Sequence, residues 1–179
     1  MKEAFGGFSL FNIVIVFVLL FAGYISMSIN YSKAYNVKNE ILNIIRNQGG
    51  VCTSQTPDAF NCYNFSEQIS DYFKEANYRS TGVCNSDDET GWVGYNREGL
   101  LDNQNPAFCV KAIRANSNSE LPNALYYQVK VFYQLDLPVI RSLFEFSIYG
   151  ETARIYEPNE CRDAKEGGDP TSYPWCSGV

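Results

Sequence analysis

Residues 6–17 read GGFSLFNIVIVF: two glycines, then a phenylalanine that opens an apolar run lasting to Ile29. Residues 8–29 contain no charge and no proline. As a helix rising about 1.5 Å per residue they reach about 33 Å, enough to span the hydrocarbon core of a bilayer. The periodicity does not stop there. Tyr31, Ala34, Val37, Ile41, Ile44 and Ile45 recur at three- and four-residue steps until Gly49 and Gly50. This predicts one helix over 8–48, its first half in lipid and an apolar stripe along its second half. Two helices with a break near Asn30 are the alternative. A secretory signal fits less well, because the run is too long for a typical signal core.

Mean hydropathy over the whole chain is −0.24, so the residues beyond the run must be water-soluble, and their number suits one modest domain. The expected organisation is a leader over 1–7, a transmembrane helix over 8–29, its extension over 30–50 and a domain over 51–179. Six cysteines, Cys52, Cys62, Cys84, Cys109, Cys161 and Cys176, lie in that domain, and the chain has no histidine. Zinc sites favour Cys-x-x-Cys pairs or nearby histidines, and neither occurs, so disulfides formed in an oxidising compartment are the reading. The expected pairing is sequential: Cys52 with Cys62, Cys84 with Cys109, Cys161 with Cys176. A bridge between distant segments is the alternative. An oxidised domain lies outside the cytoplasm and leaves the N-terminus inside. The positive-inside rule pulls weakly the other way, since Lys33 and Lys38 follow the span and only Lys2 precedes it.

The net charge of −6 belongs to the external part, because Lys2 and Glu3 cancel. Its basic residues are scattered singly among acids, whereas a nucleic-acid partner demands clustered Lys and Arg. No nucleic acid is expected.

After the glycines, residues 51–64 read as a disulfide-tied loop. Ser66 is placed to cap a short helix whose apolar side is Ile69, Tyr72, Phe73 and Ala76. Strands are predicted over 78–85, 92–96 and 107–115, the first two separated by a turn at SDDETG. Phe108, Val110, Ala112 and Ile113 are the inward candidates of the third. The clearest strand is LYYQVKVFYQLDL, residues 125–137, with Leu125, Tyr127, Val129, Val131 and Tyr133 on one face and Gln128, Lys130 and Gln134 on the other. Its partner follows over 143–156, with Phe144, Phe146 and Ile148 inward and a bulge at Gly150, after which the apolar phase shifts. The connection holds Pro138, Val139 and Ile140, either buried under the domain or touching a neighbour or lipid headgroups. A tail bounded by Cys161 and Cys176 closes the chain. The parts make an α+β fold, a long N-terminal helix packed on a small antiparallel sheet with disulfide-tied loops.

Without histidine, no Ser-His, Cys-His or His-metal centre can be built. Asp87, Asp88 and Glu89 lack the spacing of a calcium loop, and Glu145 and Glu151 belong to the polar face of a strand. No catalytic residue, cofactor or metal is expected, and the chain is read as a non-enzyme. Asn64-Phe65-Ser66 matches a glycosylation acceptor pattern. The 13 tyrosines and 12 phenylalanines are assigned to packing, with a sugar-stacking platform as the alternative.

Four features together resemble type IV pilin-like proteins, most of all the TadE-like minor pilins of Tad-type systems. They are the Gly7-Phe8-Ser9-Leu10 junction, the single helix running from membrane into domain, the hairpin LYYQVKVFYQLDLPVIRSLFEFSIYGETARIY and the cysteine-bounded C-terminal loop. The resemblance implies cleavage by a prepilin peptidase after Gly7, with Phe8 as the first mature residue. It also implies a filament or secretion apparatus whose other pilin-like subunits and assembly-platform proteins are the partners. Asn12 stands where filament-forming pilins usually carry a glutamate. Ala22 and Gly23 are the expected close-approach positions for neighbouring helices. The expected product is a single-pass membrane protein with its domain outside, acting as a minor pilin or pseudopilin. The competing expectation is a tethered receptor or adhesin.

Overall fold

The computed structural model describes residues 2–52, 62–85, 91–114, 124–134 and 145–156. Two helices, α1 (Lys2–Gln48) and α2 (Cys62–Glu75), precede five strands: β1 (Val93–Tyr95), β2 (Phe108–Arg114), β3 (Ala124–Gln134), β4 (Glu145–Glu151) and β5 (Ile155–Tyr156). The predicted long helix is one unbroken element, and it starts before Phe8. Its end is set by Gly49, whose φ of 72° places it in the left-handed region. Gly49 N donates to Arg46 O and Gly50 N to Ile45 O, the paired bonds that satisfy the last carbonyls of a helix. The end of α2 repeats this device with Asn77 at φ 47°. There Asn77 N bonds to Lys74 O and Tyr78 N to Phe73 O, and the Tyr78 ring meets the Phe73 ring edge-on.

All strand pairs are antiparallel, in the order β1-β2-β3-β4, with β5 beside the start of β3. α1 lies across β3 and β4 with α2 alongside, and the main core fills the space between. From α1 it takes Ala34, Val37, Ile41, Ile44 and Ile45; from α2, Phe65, Ile69 and Phe73; from the sheet, Phe108, Val110, Tyr127, Val129 and Val131. The sheet residues are the alternate positions read from the sequence. The largest aromatics are consumed here: Tyr95 stacks on Phe108 at 5.2 Å and sends its hydroxyl to Cys52 O.

A second, smaller cluster of Cys84, Trp92, Cys109 and Phe132 lies on the opposite face of the sheet. Lys130 shares that face, as predicted, but is only 7% exposed. Its ammonium sits 5.6–5.9 Å from the rings of Tyr149, Phe132 and Trp92, close enough for cation–π attraction to offset part of the burial. The expected bridges Cys52–Cys62 and Cys84–Cys109 are both present. The Cys161–Cys176 pair, residues 86–90 of the SDDETG turn, the Pro138-Val139-Ile140 tip and Phe144 lie outside the described residues.

Four sequence expectations need correction. Residues 78–85 join no ladder, and only Tyr78 and Cys84 among them are buried. Tyr78 belongs to the main core and Cys84 to the opposite cluster, so the segment passes round the end of the sheet instead of along it. It is held by the Tyr78 hydroxyl donating to Phe132 O, by Gly82 N donating to Pro106 O and by the Cys84–Cys109 bridge. Ser66 is not a cap, because α2 already begins at Cys62; its hydroxyl donates to Glu98 O at 2.6 Å. Ile113 pairs with Tyr126 on the outer face, one step out of phase with Val110 and Ala112.

The bulge is real but misplaced. β4 pairs with β3 without interruption through Gly150, opposite Val129. The extra residue falls just beyond, where Thr152, Ala153 and Arg154 face only Tyr126 and Tyr127. Thr152 N donates to Tyr127 O while Thr152 Oγ1 accepts from Tyr127 N, so a side chain replaces the missing ladder acceptor. Gly150 serves close approach instead. A Cβ there would lie 2.8 Å from Leu42 Cδ1 and Lys38 Cδ, so its lack of a side chain lets α1 settle onto β4.

Candidate functional site

The surface most open to a partner is the first half of α1. From Ser9 to Ile29 every side chain is exposed except for half-buried Gly23 and Ser26. The stretch has a mean hydropathy of 2.4 over its most apolar window, and the helix is long and apolar enough to cross a membrane. Phe11, Phe17, Leu19, Leu20 and Phe21 are each more than half exposed, an arrangement that water would penalise and lipid would not. Twelve residues later the same helix is core, with Ile41 fully buried. One secondary-structure element therefore faces two solvents.

The predicted packing residues divide on this helix. At about 100° per residue, Asn12, Gly23, Asn30, Val37 and Ile41 fall within about 20° of one line along α1, whereas Ala22 lies about 80° round. Asn12 and Gly23 thus share a side with each other and with the residues seated on the sheet. Ala22 does not join them. Phe17 and Phe21, stacked at 6.4 Å, occupy the opposite side. Leu19 falls on the same line between Asn12 and Gly23, so that side mixes small, polar and large residues, with the Phe17–Phe21 stack behind it. Gly7 and Phe8 lie within α1, which passes through the junction without a break.

Where the helix leaves the apolar run it meets the end of the sheet. Tyr31 contacts Tyr133 edge-on at 5.9 Å, while Lys38 and Leu42 lie farther along, over Gly150. β3 therefore runs toward the apolar half of α1 and β4 away from it. Beside Tyr133, a polar cleft of about 350 Å³ opens between Asn30 and Lys33 of α1 and the Asn77–Ser80 loop. Burial pushes the Tyr133 hydroxyl up from its ordinary range, helped by the neighbouring Tyr31. Sequence reading missed this cleft, because its cations lie far apart in the chain and join only through the turn after α2.

The other sequence candidates are dispersed. Asn64-Phe65-Ser66 sits inside α2 with Phe65 buried and the Ser66 hydroxyl engaged, unlike the surface loop that glycosylation favours. Among the described residues, no group of three or more His, Cys, Asp or Glu converges as a metal site would require. No protein-family model, curated protein or solved structure matches the chain. Its pilin-like character is one of architecture: an apolar N-terminal helix whose second half packs on an antiparallel sheet.

Proposed function

We propose that this chain is a membrane-anchored structural subunit, a minor pilin or pseudopilin, of a pilus or secretion apparatus. The observation that carries the reading is the division of α1, bare and apolar to Ile29 and then seated in the core by one stripe, Ala34, Val37, Ile41, Ile44 and Ile45. In this role the chain is not an enzyme. It enters the membrane once, N-terminus inside, and the disulfide-bonded domain lies beyond the cytoplasm, where its cysteines can oxidise. Neighbouring pilin-like helices pack against the Asn12–Gly23 side, and assembly-platform proteins hold the set in the membrane. A prepilin peptidase removes the leader after Gly7, so that Phe8 begins the mature chain.

The decisive experiment exchanges residues 8–29 for an unrelated apolar helix of equal length. In a subunit that assembles through its helix, membrane insertion survives the exchange but recovery of apparatus partners falls to background. Undiminished recovery, or undiminished ligand binding by an isolated chain, would identify a tethered receptor instead. Intact mass of the mature protein tests the processing step, and a chain that still begins at Met1 would exclude cleavage after Gly7.

A further inference from the structure

The cleft beside Tyr133 has built walls. Asn77 holds the left-handed conformation that turns the chain there, and its side-chain oxygen accepts from Arg79 Nε at 3.1 Å. The Tyr78 hydroxyl is tied to Phe132 O. The Arg97 guanidinium donates to Arg79 O at 2.6 Å and fixes the loop from behind. Into this frame project two cations, Lys33 from α1 and Arg79 from the loop. Neither makes an ion pair among the described residues, where the pair found is Lys74 with Asp71. In a chain of net charge −6, two cations without a carboxylate in one cleft are a local reversal of sign.

Height along the helix identifies what could neutralise them. Lys33 stands four residues past Ile29, about 6 Å farther up the axis. The headgroup layer on each side of a bilayer is about 5–8 Å thick. The cleft therefore opens at headgroup level. Exposed Tyr31 and Tyr35 flank the same height, about 3 Å either side of Lys33, as aromatic residues do at membrane interfaces. Lys38, the other nearby cation, is already engaged: its stem packs over Gly150 and its ammonium lies 4.1 Å over the Tyr35 ring.

We propose that this cleft binds the phosphate of an anionic phospholipid in the leaflet next to the domain. Lys33 supplies a point charge, Arg79 a planar set of donors, and Asn30 and Ser80 supply further hydrogen-bonding groups. The inference rests on α1 spanning a bilayer, and not on the pilin role. It gives the domain a second, lipid-specific attachment that sets its rim against the membrane surface.

The test places the full chain in nanodiscs of mixed phosphatidylcholine and phosphatidylglycerol and counts the lipids retained on the protein by native mass spectrometry. The native chain should retain phosphatidylglycerol preferentially. Lys33→Gln and Arg79→Gln should each lower that preference about fivefold, and the double variant should abolish it. Lys111→Gln removes the same charge from the far face of the sheet and should leave it unchanged. No preference in the native chain, or equal loss in the Lys111 variant, overturns the proposal while leaving the membrane span intact. Failure of the chain to enter nanodiscs overturns both. Soluble glycerol phosphate, added to phosphatidylcholine nanodiscs, separates the phosphate sources: if it stabilises the chain as much as phosphatidylglycerol does, a free phosphate and not a lipid is the ligand.

Discussion

Two identical substitutions on α1, sixteen residues apart, should have unequal consequences for the domain. Ile41 is fully buried between α1 and the sheet, while Ile25 is 43% exposed in the apolar half. Replacing Ile41 with alanine removes three carbons, worth about 2.4 kcal/mol at about 0.8 kcal/mol each. It also leaves a cavity, because the site is fixed from both sides: Val37, Ile44 and Ile45 on the helix, Val129 and Val131 on β3. The total should be about 3–4 kcal/mol, within the range found for such truncations. For a domain of this size each kcal/mol lowers the melting temperature by about 2–4 °C, so Ile41→Ala should melt about 10 °C below the parent. Ile25→Ala should melt within about 1 °C of it, since Ile25 contributes nothing to the core. The assay is thermal unfolding of the full chain in detergent, followed by the fluorescence of buried Trp92. Equal shifts for the two variants would refute the claim that α1 serves two solvents. So would an unchanged melting temperature for Ile41→Ala.

Other expectations rest on single contacts. Gly94→Ala would put a Cβ 2.5 Å from Asp102 O, and relief would break the bonds from Asp102 N to Gly94 O and from Gly94 N to Asn103 Oδ1; a loss of about 3 kcal/mol is expected in urea unfolding. Replacing Cys84 and Cys109 together by serine should cost about 2–4 kcal/mol and expose residues 79–83 to limited proteolysis, with the main core still folded. Burial pushes the Tyr78 hydroxyl well above its ordinary 10.0, Tyr133 adding to the rise and the Ser80 hydrogen bond opposing it. The folded state therefore holds that proton more tightly than the unfolded chain. The contribution is whole below about pH 10 and declines as pH rises beyond it. Tyr78→Phe should lower stability at neutral pH and flatten this alkaline decline, as pH-dependent melting would reveal.

The elements that were legible in the sequence are those whose burial follows one period. Val37, Ile41 and Ile45 on α1, and Tyr127, Val129 and Val131 on β3, show that period and occupy the core. The misreadings arose where burial and backbone pairing part company. Residues 78–85 bury Tyr78 and Cys84 because the chain wraps the sheet's end, not because it pairs in a ladder. Gly150 looked like a bulge because a phase shift comes after it, but the glycine answers to α1, which passes over it from more than a hundred residues earlier in the chain. The cleft was illegible for the same reason, since Lys33 and Arg79 meet only after α2 and its Asn77 turn are in place.

An unbroken α1 also constrains how any partner can approach. Residues 24–48 contain neither glycine nor proline, the residues at which helices commonly bend, so the tilt of the apolar half is carried directly to the sheet. The line through Asn12, Gly23 and Asn30 continues into Val37 and Ile41. A neighbouring helix packed on that line would lie under the domain. A neighbour on the other side meets the Phe17 and Phe21 ridge, with no domain above it. In the proposed assembly these two unlike sides would let each subunit offer one side of its helix to the next, head to tail. A plain tether requires neither, because lipid covers any apolar helix equally well from all sides.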